Sequence, residues 1–213
     1  MKIKEILVEA QINPKIREVL QSKGYKFLGS GQDQTVYLAP DGTVLKIFDY
    51  LRDSNYLIYG FSKAQQSFIN FANFCMSQPN NPFLPKFGGW ATFTFEGQKY
   101  LQIKSERLFH FTYGDIISEE LEVLGEVIEQ YGANLGFKHL MKRYDENNKV
   151  DSAIGEMITL LGGEKNTKLF CKTIEQLVKI ANSKDYAMDL HGGNFMLSSE
   201  GEIIINDPFF TEW

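Results

Sequence analysis

Residues 189–194 read Asp189-Leu190-His191-Gly192-Gly193-Asn194, and residues 203–207 read Ile203-Ile204-Ile205-Asn206-Asp207. Thirteen positions separate Asn194 from Asp207. Between them lie two short apolar runs, 195–198 and 202–206, joined at Glu200-Gly201, which is the pattern of a β-hairpin. A hairpin brings its two ends together, so Asn194 and Asp207 are expected as neighbours. An amide oxygen beside a carboxylate is an oxygen donor set suited to Mg²⁺. Asp189 precedes Asn194 by five positions on the same loop, where its carboxylate can orient a hydroxyl and accept its proton.

Upstream of this loop the chain reads as helical for about 80 residues, with candidate helices near 116–131, 135–143, 152–161 and 166–183. The last shows an apolar stripe of Leu169, Ile174, Leu177 and Ile180. Glu119, Glu120, Glu122 and Glu126 read as one solvated helix face. Lys142 to Lys149 reads as a loop. Further back lies a hairpin, 89–95 and 99–104, turning at Glu96-Gly97. Helix 56–76 is predicted from Phe61, Ala64, Phe68, Ala72 and Cys75, and the Pro- and Asn-rich residues 78–82 stop it. Strands 25–30, 35–39 and 43–49 form a meander, the last pair turning at Pro40-Asp41-Gly42. In the third strand Val44, Lys46 and Phe48 face one way and Leu45 and Ile47 the other. The first helix, 13–23, has Pro14 in its first turn, a stripe of Ile16, Val19 and Leu20, and Gly24 at its end.

A β-rich first half and an α-rich second half predict an α+β chain of two lobes, residues 1–106 and 107–213. With 213 residues, 43% hydrophobic and 14% aromatic, the chain can build a substantial core. The net charge is −5 and no dense basic run occurs, which argues against nucleic acid. No apolar run is long enough to span a bilayer, and the N-terminal run carries acids, so neither a membrane nor a secretory route is expected. The two cysteines, Cys75 and Cys171, fall within apolar helical patterns and read as buried thiols of a cytoplasmic protein. His110, His139 and His191 are too dispersed for zinc.

Asp-x-x-x-x-Asn, a hairpin and then Asp resembles the catalytic loop and metal-binding aspartate of the protein-kinase-like superfamily. Gly29-Ser30-Gly31 followed by Val36-Tyr37 resembles that family's glycine-rich turn over the phosphates. Val44-Leu45-Lys46 resembles the strand carrying its phosphate-binding lysine, and Glu106-Arg107-Leu108 its adenine-contacting hinge. The resemblance spans residues 25–207 in the family's order. It implies a bilobal fold with a five-stranded antiparallel sheet and one or two helices in the first lobe, and a minimal, mainly helical second lobe. It implies ATP and Mg²⁺, with Lys46 on the α- and β-phosphates, Asp189 as catalytic base, and Asn194 and Asp207 as metal ligands. The nucleotide would also meet Gly29, Ser30, Gly31, Val36, Glu106 and Leu108.

The chain departs from the pattern in four places. No acid lies between Asp53 and Glu96, where the family carries a helix glutamate paired with the lysine. Gln65, or Glu18 from the first helix, is the expected substitute. Gln34 replaces a third glycine, and Asp33 adds a negative charge. His191 stands where protein Ser/Thr kinases carry lysine, which looks more like aminoglycoside and choline kinases and related bacterial or bacteriophage proteins. We read His191 as a brace for the loop. Finally, the sequence ends six residues after Asp207, with no activation segment, while 83 residues separate Glu106 from Asp189. Helices in 109–165 are therefore expected to shape the acceptor pocket, and a protein partner to cover the shortened second lobe. The acceptor reads as a protein Ser/Thr or small-molecule hydroxyl. A nucleotide-binding pseudokinase acting as an interaction module, and AMP transfer, are the alternatives.

Overall fold

A computed structural model describes residues 12–30, 34–49, 62–110, 114–146 and 153–210. The chain divides into two units, one of residues 1–77 and 86–107, the other of residues 78–85 and 108–213. The α+β class expected from the sequence is present.

The first unit is a five-stranded antiparallel sheet with a helix on each face. Its strands are β1 (Lys26–Ser30), β2 (Gln34–Leu38), β3 (Val44–Asp49), β4 (Phe87–Phe95) and β5 (Gln98–Ser105), in the order β1-β2-β3-β5-β4. Glu96 and Gly97 both take positive φ, 49° and 83°, the left-handed pair that lets a two-residue turn match the twist of β4 and β5.

Alternation in β3 sends its residues to two separate cores. Ile47, with Tyr37 and Tyr100, packs against Ile12 and Ile16 at the start of helix α1 (Pro14–Ser22). Phe48, with Leu101 and Ile103, packs against Phe68 and Ile69 of helix α2 (Lys63–Ser77). The Asn13 side chain accepts the Lys15 N–H at 3.0 Å, capping α1. At its other end Gly24 takes φ 83°, its N–H donating to Gln21 and that of Tyr25 to Leu20, a Schellman closure. Val19, placed on the apolar stripe by spacing, is 41% exposed; the buried edge runs through Ile16 and half-buried Leu20.

Helix α2 begins later in the description than the predicted 56–76, because 56–61 lie outside the described residues; Phe68, Ala72 and Cys75 are buried as the spacing requires. Its start is a reciprocal cap. Ser62 Oγ accepts the Gln65 N–H at 3.1 Å, and Gln65 Oε1 accepts the Ser62 N–H at 3.2 Å. Replacing Ser62 by Ala should lower stability by about 0.5–2 kcal/mol, read as a shifted denaturant midpoint at constant slope.

The second unit contains β6 (Phe109–His110), α3 (Gly114–Tyr131), α4 (Ala133–Glu146), α5 (Ala153–Leu160), α6 (Glu164–Lys184), β7 (Ala187–Met188), β8 (Phe195–Leu197), β9 (Ile203–Ile205) and β10 (Phe209–Phe210). Strands β6, β8 and β9 form one small sheet and β7 and β10 another. Residues 78–85 join this unit through α6: Asn81 Nδ2 donates to Thr173 Oγ1 at 2.9 Å, and the Phe83 ring meets Phe170 edge-on at 5.1 Å.

Two helical expectations need correction. The buried face of α6 runs through Thr167, Phe170, Cys171, Ile174, Leu177, Val178 and Ala181, leaving Leu169 38% exposed. Residues 142–146, expected in a loop, continue α4, because Arg143 forks onto both oxygens of Glu120 at 2.7 Å. Both cysteines are free and buried. Burial pushes both thiols up, that of Cys171 to about 12, so neither is a ready nucleophile. Among the described residues no helix is long and apolar enough to cross a membrane.

Candidate functional site

The loop between β7 and β8 is built on helix α3. Gly192 lies so close to the helix that a Cβ there would sit 2.9 Å from Ser118 Cβ, and Leu190 fills the space over Gly125. Gly192, Gly193 and Asn194 form a single 3₁₀ turn. Its N–H groups have three different acceptors: Glu122 Oε1 for Gly192, His191 Nδ1 at 3.0 Å for Gly193, and the His191 carbonyl at 2.8 Å for Asn194. His191 therefore does brace the loop. With Nδ1 accepting, the proton of a neutral ring sits on Nε2, which lies 3.7 Å from Asp189 Oδ1.

Asp189, Asn194 and Asp207 are brought together by backbone and side-chain bonds that converge on the loop. Asn194 Nδ2 donates to the Asp189 carbonyl at 2.7 Å. The Asn206 N–H donates to the Asn194 carbonyl at 2.7 Å, and the Asp189 N–H to the Pro208 carbonyl at 2.8 Å. Asp207 is thus bracketed: the residue before it is tied to Asn194 and the residue after it to Asp189. Asp207 itself takes φ 50°, a left-handed conformation that Asp tolerates better than most residues and that persists only where the surroundings enforce it.

This donor set fits a hard cation. The Asn194 NH₂ group is spent on Asp189, which turns its Oδ1 the other way. Among the described residues no group of three or more His, Cys, Asp and Glu side chains is placed to hold a metal. A cation here would rely on Asn194, Asp207 and a ligand's own oxygens, the arrangement Mg²⁺ commonly takes with phosphates.

In the first unit, Gly29 pairs with Val36, Ser30 with Thr35, and Val36 with Lys46, so these candidate residues occupy adjoining strands. A Cβ at Gly29 would meet nothing within 4 Å. Gly31 and Asp33 lie outside the described residues. Lys46 shares the α2 face of the sheet, where its Nζ lies 4.4 Å from the Phe68 ring centroid, a cation–π contact. The spacing gave no hint of Phe68 in this role. Gln65 is buried on the same helix, with its amide oxygen engaged in the cap at Ser62. Glu18 is excluded as a partner for Lys46, since α1 covers the opposite face of the sheet. Glu106 Oε1 accepts the Lys86 N–H at 2.7 Å, while the Glu106 N–H donates to the Lys86 carbonyl. That carboxylate therefore has a structural task the sequence did not reveal.

No family model matches the sequence, and no curated protein is similar to it in sequence. Among solved structures, the chain is similar to one described as the streptomycin–ATP–APH(2'')-IIa ternary complex, at 13% identity and a TM-score of 0.34, covering 94% of this chain and 72% of that one. So distant a likeness assigns neither substrate nor residue roles.

A cavity of about 310 Å³ opens beside Asp189, lined by Glu122, Gly125, Glu126, Glu129, Met188, Leu190 and His191. The three glutamates follow helical spacing along one side of α3, so the solvated face expected from sequence is divided. Glu119 and Glu126 are exposed, Glu120 is held by Arg143, and Glu122 is held by the loop.

Proposed function

We propose that the protein is an ATP- and Mg²⁺-dependent phosphotransferase that moves the γ-phosphate to a hydroxyl acceptor. The observation that carries this reading is the bracketing of Asp207 by the Asn206–Asn194 and Pro208–Asp189 hydrogen bonds. It groups the Asp189 carboxylate, the candidate base, with a carboxylate and an amide oxygen of the kind that suits a metal.

In this reading Lys46 holds the α- and β-phosphates, Gly29, Ser30, Gly31 and Val36 cover them, and Glu106 and Leu108 meet the adenine. Asn194 and Asp207 would hold Mg²⁺, which when bound supplies neutralisation of phosphate charge. Asp189 orients the acceptor hydroxyl and takes its proton as the oxygen bonds to the γ-phosphorus and ADP departs. His191 Nε2 faces the Asp189 carboxylate from 3.7 Å. The acceptor reaches Asp189 through the cavity on α3, and Glu122, Glu126 and Glu129 favour an acceptor bearing positive charge, whether a peptide or a small molecule.

One observation favours a second reading, a nucleotide-binding pseudokinase. The Lys46 ammonium lies over the Phe68 ring, and helix α2 carries Gln65, whose amide oxygen is engaged at Ser62, in the region where the family it resembles carries a glutamate. Incubation with Mg²⁺ and ATP labelled in parallel at the α- and γ-phosphates, with a panel of cationic and neutral hydroxyl compounds and peptides, separates the cases. Transfer of the γ-label, strongest to cationic acceptors, is expected. Transfer of the α-label would mean AMP transfer, and a thermal shift with Mg-ATP but no transfer would mean the pseudokinase.

A further inference from the structure

Among the described acids of α3, Glu122 is bonded to the 189–194 loop through Gly192, Glu120 is forked by Arg143, and Glu119, Glu126 and Glu129 are exposed. The 3₁₀ turn of that loop supplies two of its own three acceptors, both from His191. The third N–H, on Gly192, is accepted by Glu122 Oε1, 70 residues away in sequence. A bond to an ionised acceptor is roughly twice as strong as a neutral one. The loop also lies flat on the helix here. Ser118, Glu122 and Gly125 share one face of α3, against Gly192 and Leu190.

We propose that Glu122 is a positioning residue: it anchors the Asp189–Asn194 loop to α3 and so sets where the Asn194 amide and the Asp189 carboxylate stand. What that positioning serves rests on the phosphotransferase reading; the anchor itself does not. Gly192 is two residues from Asn194 and three from Asp189, so a shift at Gly192 displaces both. Glycine at this position permits the close approach and the carboxylate fastens it.

The test compares full-length wild type, Glu122→Leu and Glu122→Gln by amide hydrogen exchange at Gly192 and by steady-state phosphotransfer. Leu removes the acceptor; Gln retains an oxygen in the same space without the charge. In Glu122→Leu, exchange at Gly192 should rise on the order of 10- to 100-fold, and kcat should fall by a similar factor with the KM for ATP little changed. Glu122→Gln should recover most of both. If circular dichroism shows that the Leu variant does not fold, Glu122→Gln alone decides, with a rise of about threefold to tenfold in exchange expected. Unchanged Gly192 exchange overturns the anchor, and faster exchange with unaltered kcat overturns the positioning role. A wild type that transfers no phosphate sinks the phosphotransferase reading alone, and the exchange result then supports or overturns the anchor by itself.

Discussion

Replacing Asp189 by Ala should lower phosphate transfer by about 10²–10⁴ while leaving Mg-ATP binding near that of the wild type. The separation follows from how the loop is held. The Asp189 N–H is bonded to the Pro208 carbonyl, and its own carbonyl accepts Asn194 Nδ2. Both bonds belong to backbone atoms of Asp189, so removing the side chain leaves Asn194 and Asp207 in place. What is lost is the carboxylate beside the cavity on α3 and the group facing His191 Nε2. Single-turnover kinetics with γ-labelled ATP, paired with calorimetric titration, measures the two quantities independently. Wild-type turnover in this variant would remove Asp189 from the base role.

Replacing Phe170 by Ala should cost about 3–5 kcal/mol, the usual penalty for an aromatic deleted from a packed core. Phe170 is fully buried on α6, with its ring 5.1 Å from Phe83 and 6.2 Å from Phe195. Those contacts join three stretches distant in sequence: the 78–85 segment, α6, and the strand that follows Asn194. The Phe83 carbonyl also accepts the Ile205 N–H, two residues before Asp207. The cavity would therefore open beneath both arms of the candidate site. Replacing the neighbouring Leu169, 38% exposed, should cost about 1 kcal/mol or less. Thermal or denaturant unfolding of the two variants side by side tests which face of α6 is buried. Equal losses would mean that the face is wrongly placed.

The features legible in the sequence are those set by short-range geometry. Turn chemistry at Pro40-Asp41-Gly42, Glu96-Gly97 and Glu200-Gly201 fixes which strands are paired, and alternation in residues 44–48 assigns two faces. The Asn194–Asp207 juxtaposition follows from one hairpin between them. The α6 stripe was misread because the helix buries hydroxyls. Thr167 Oγ donates to the Gly163 carbonyl and Thr173 Oγ to that of Leu169, each at 3.0 Å, so both enter the core with their polar groups satisfied. A hydrophobicity pattern scores them as solvent-facing and rotates the stripe toward Leu169. The backbone partners of Glu122 and Glu106 are not legible for a different reason. Each carboxylate serves a backbone N–H many residues away, Gly192 and Lys86, and no local pattern marks an acid for such a partner. Gln65 has a local signal, since Ser62-x-x-Gln65 is a capping pattern.

The proposed phosphotransfer requires Lys46, Asn194 and Asp207 to act on one Mg-ATP molecule. It is tested most directly by a double-mutant cycle in Mg-ATP affinity, measured by calorimetry on wild type, Lys46→Met, Asp207→Asn and the double variant. Asn is chosen at 207 because it accepts the left-handed backbone there. The account predicts that each single change weakens binding by about tenfold or more and that the double change loses clearly less than the product of the two, the mark of residues sharing one ligand. Wild-type affinity in both single variants, or two losses that simply multiply, would contradict it.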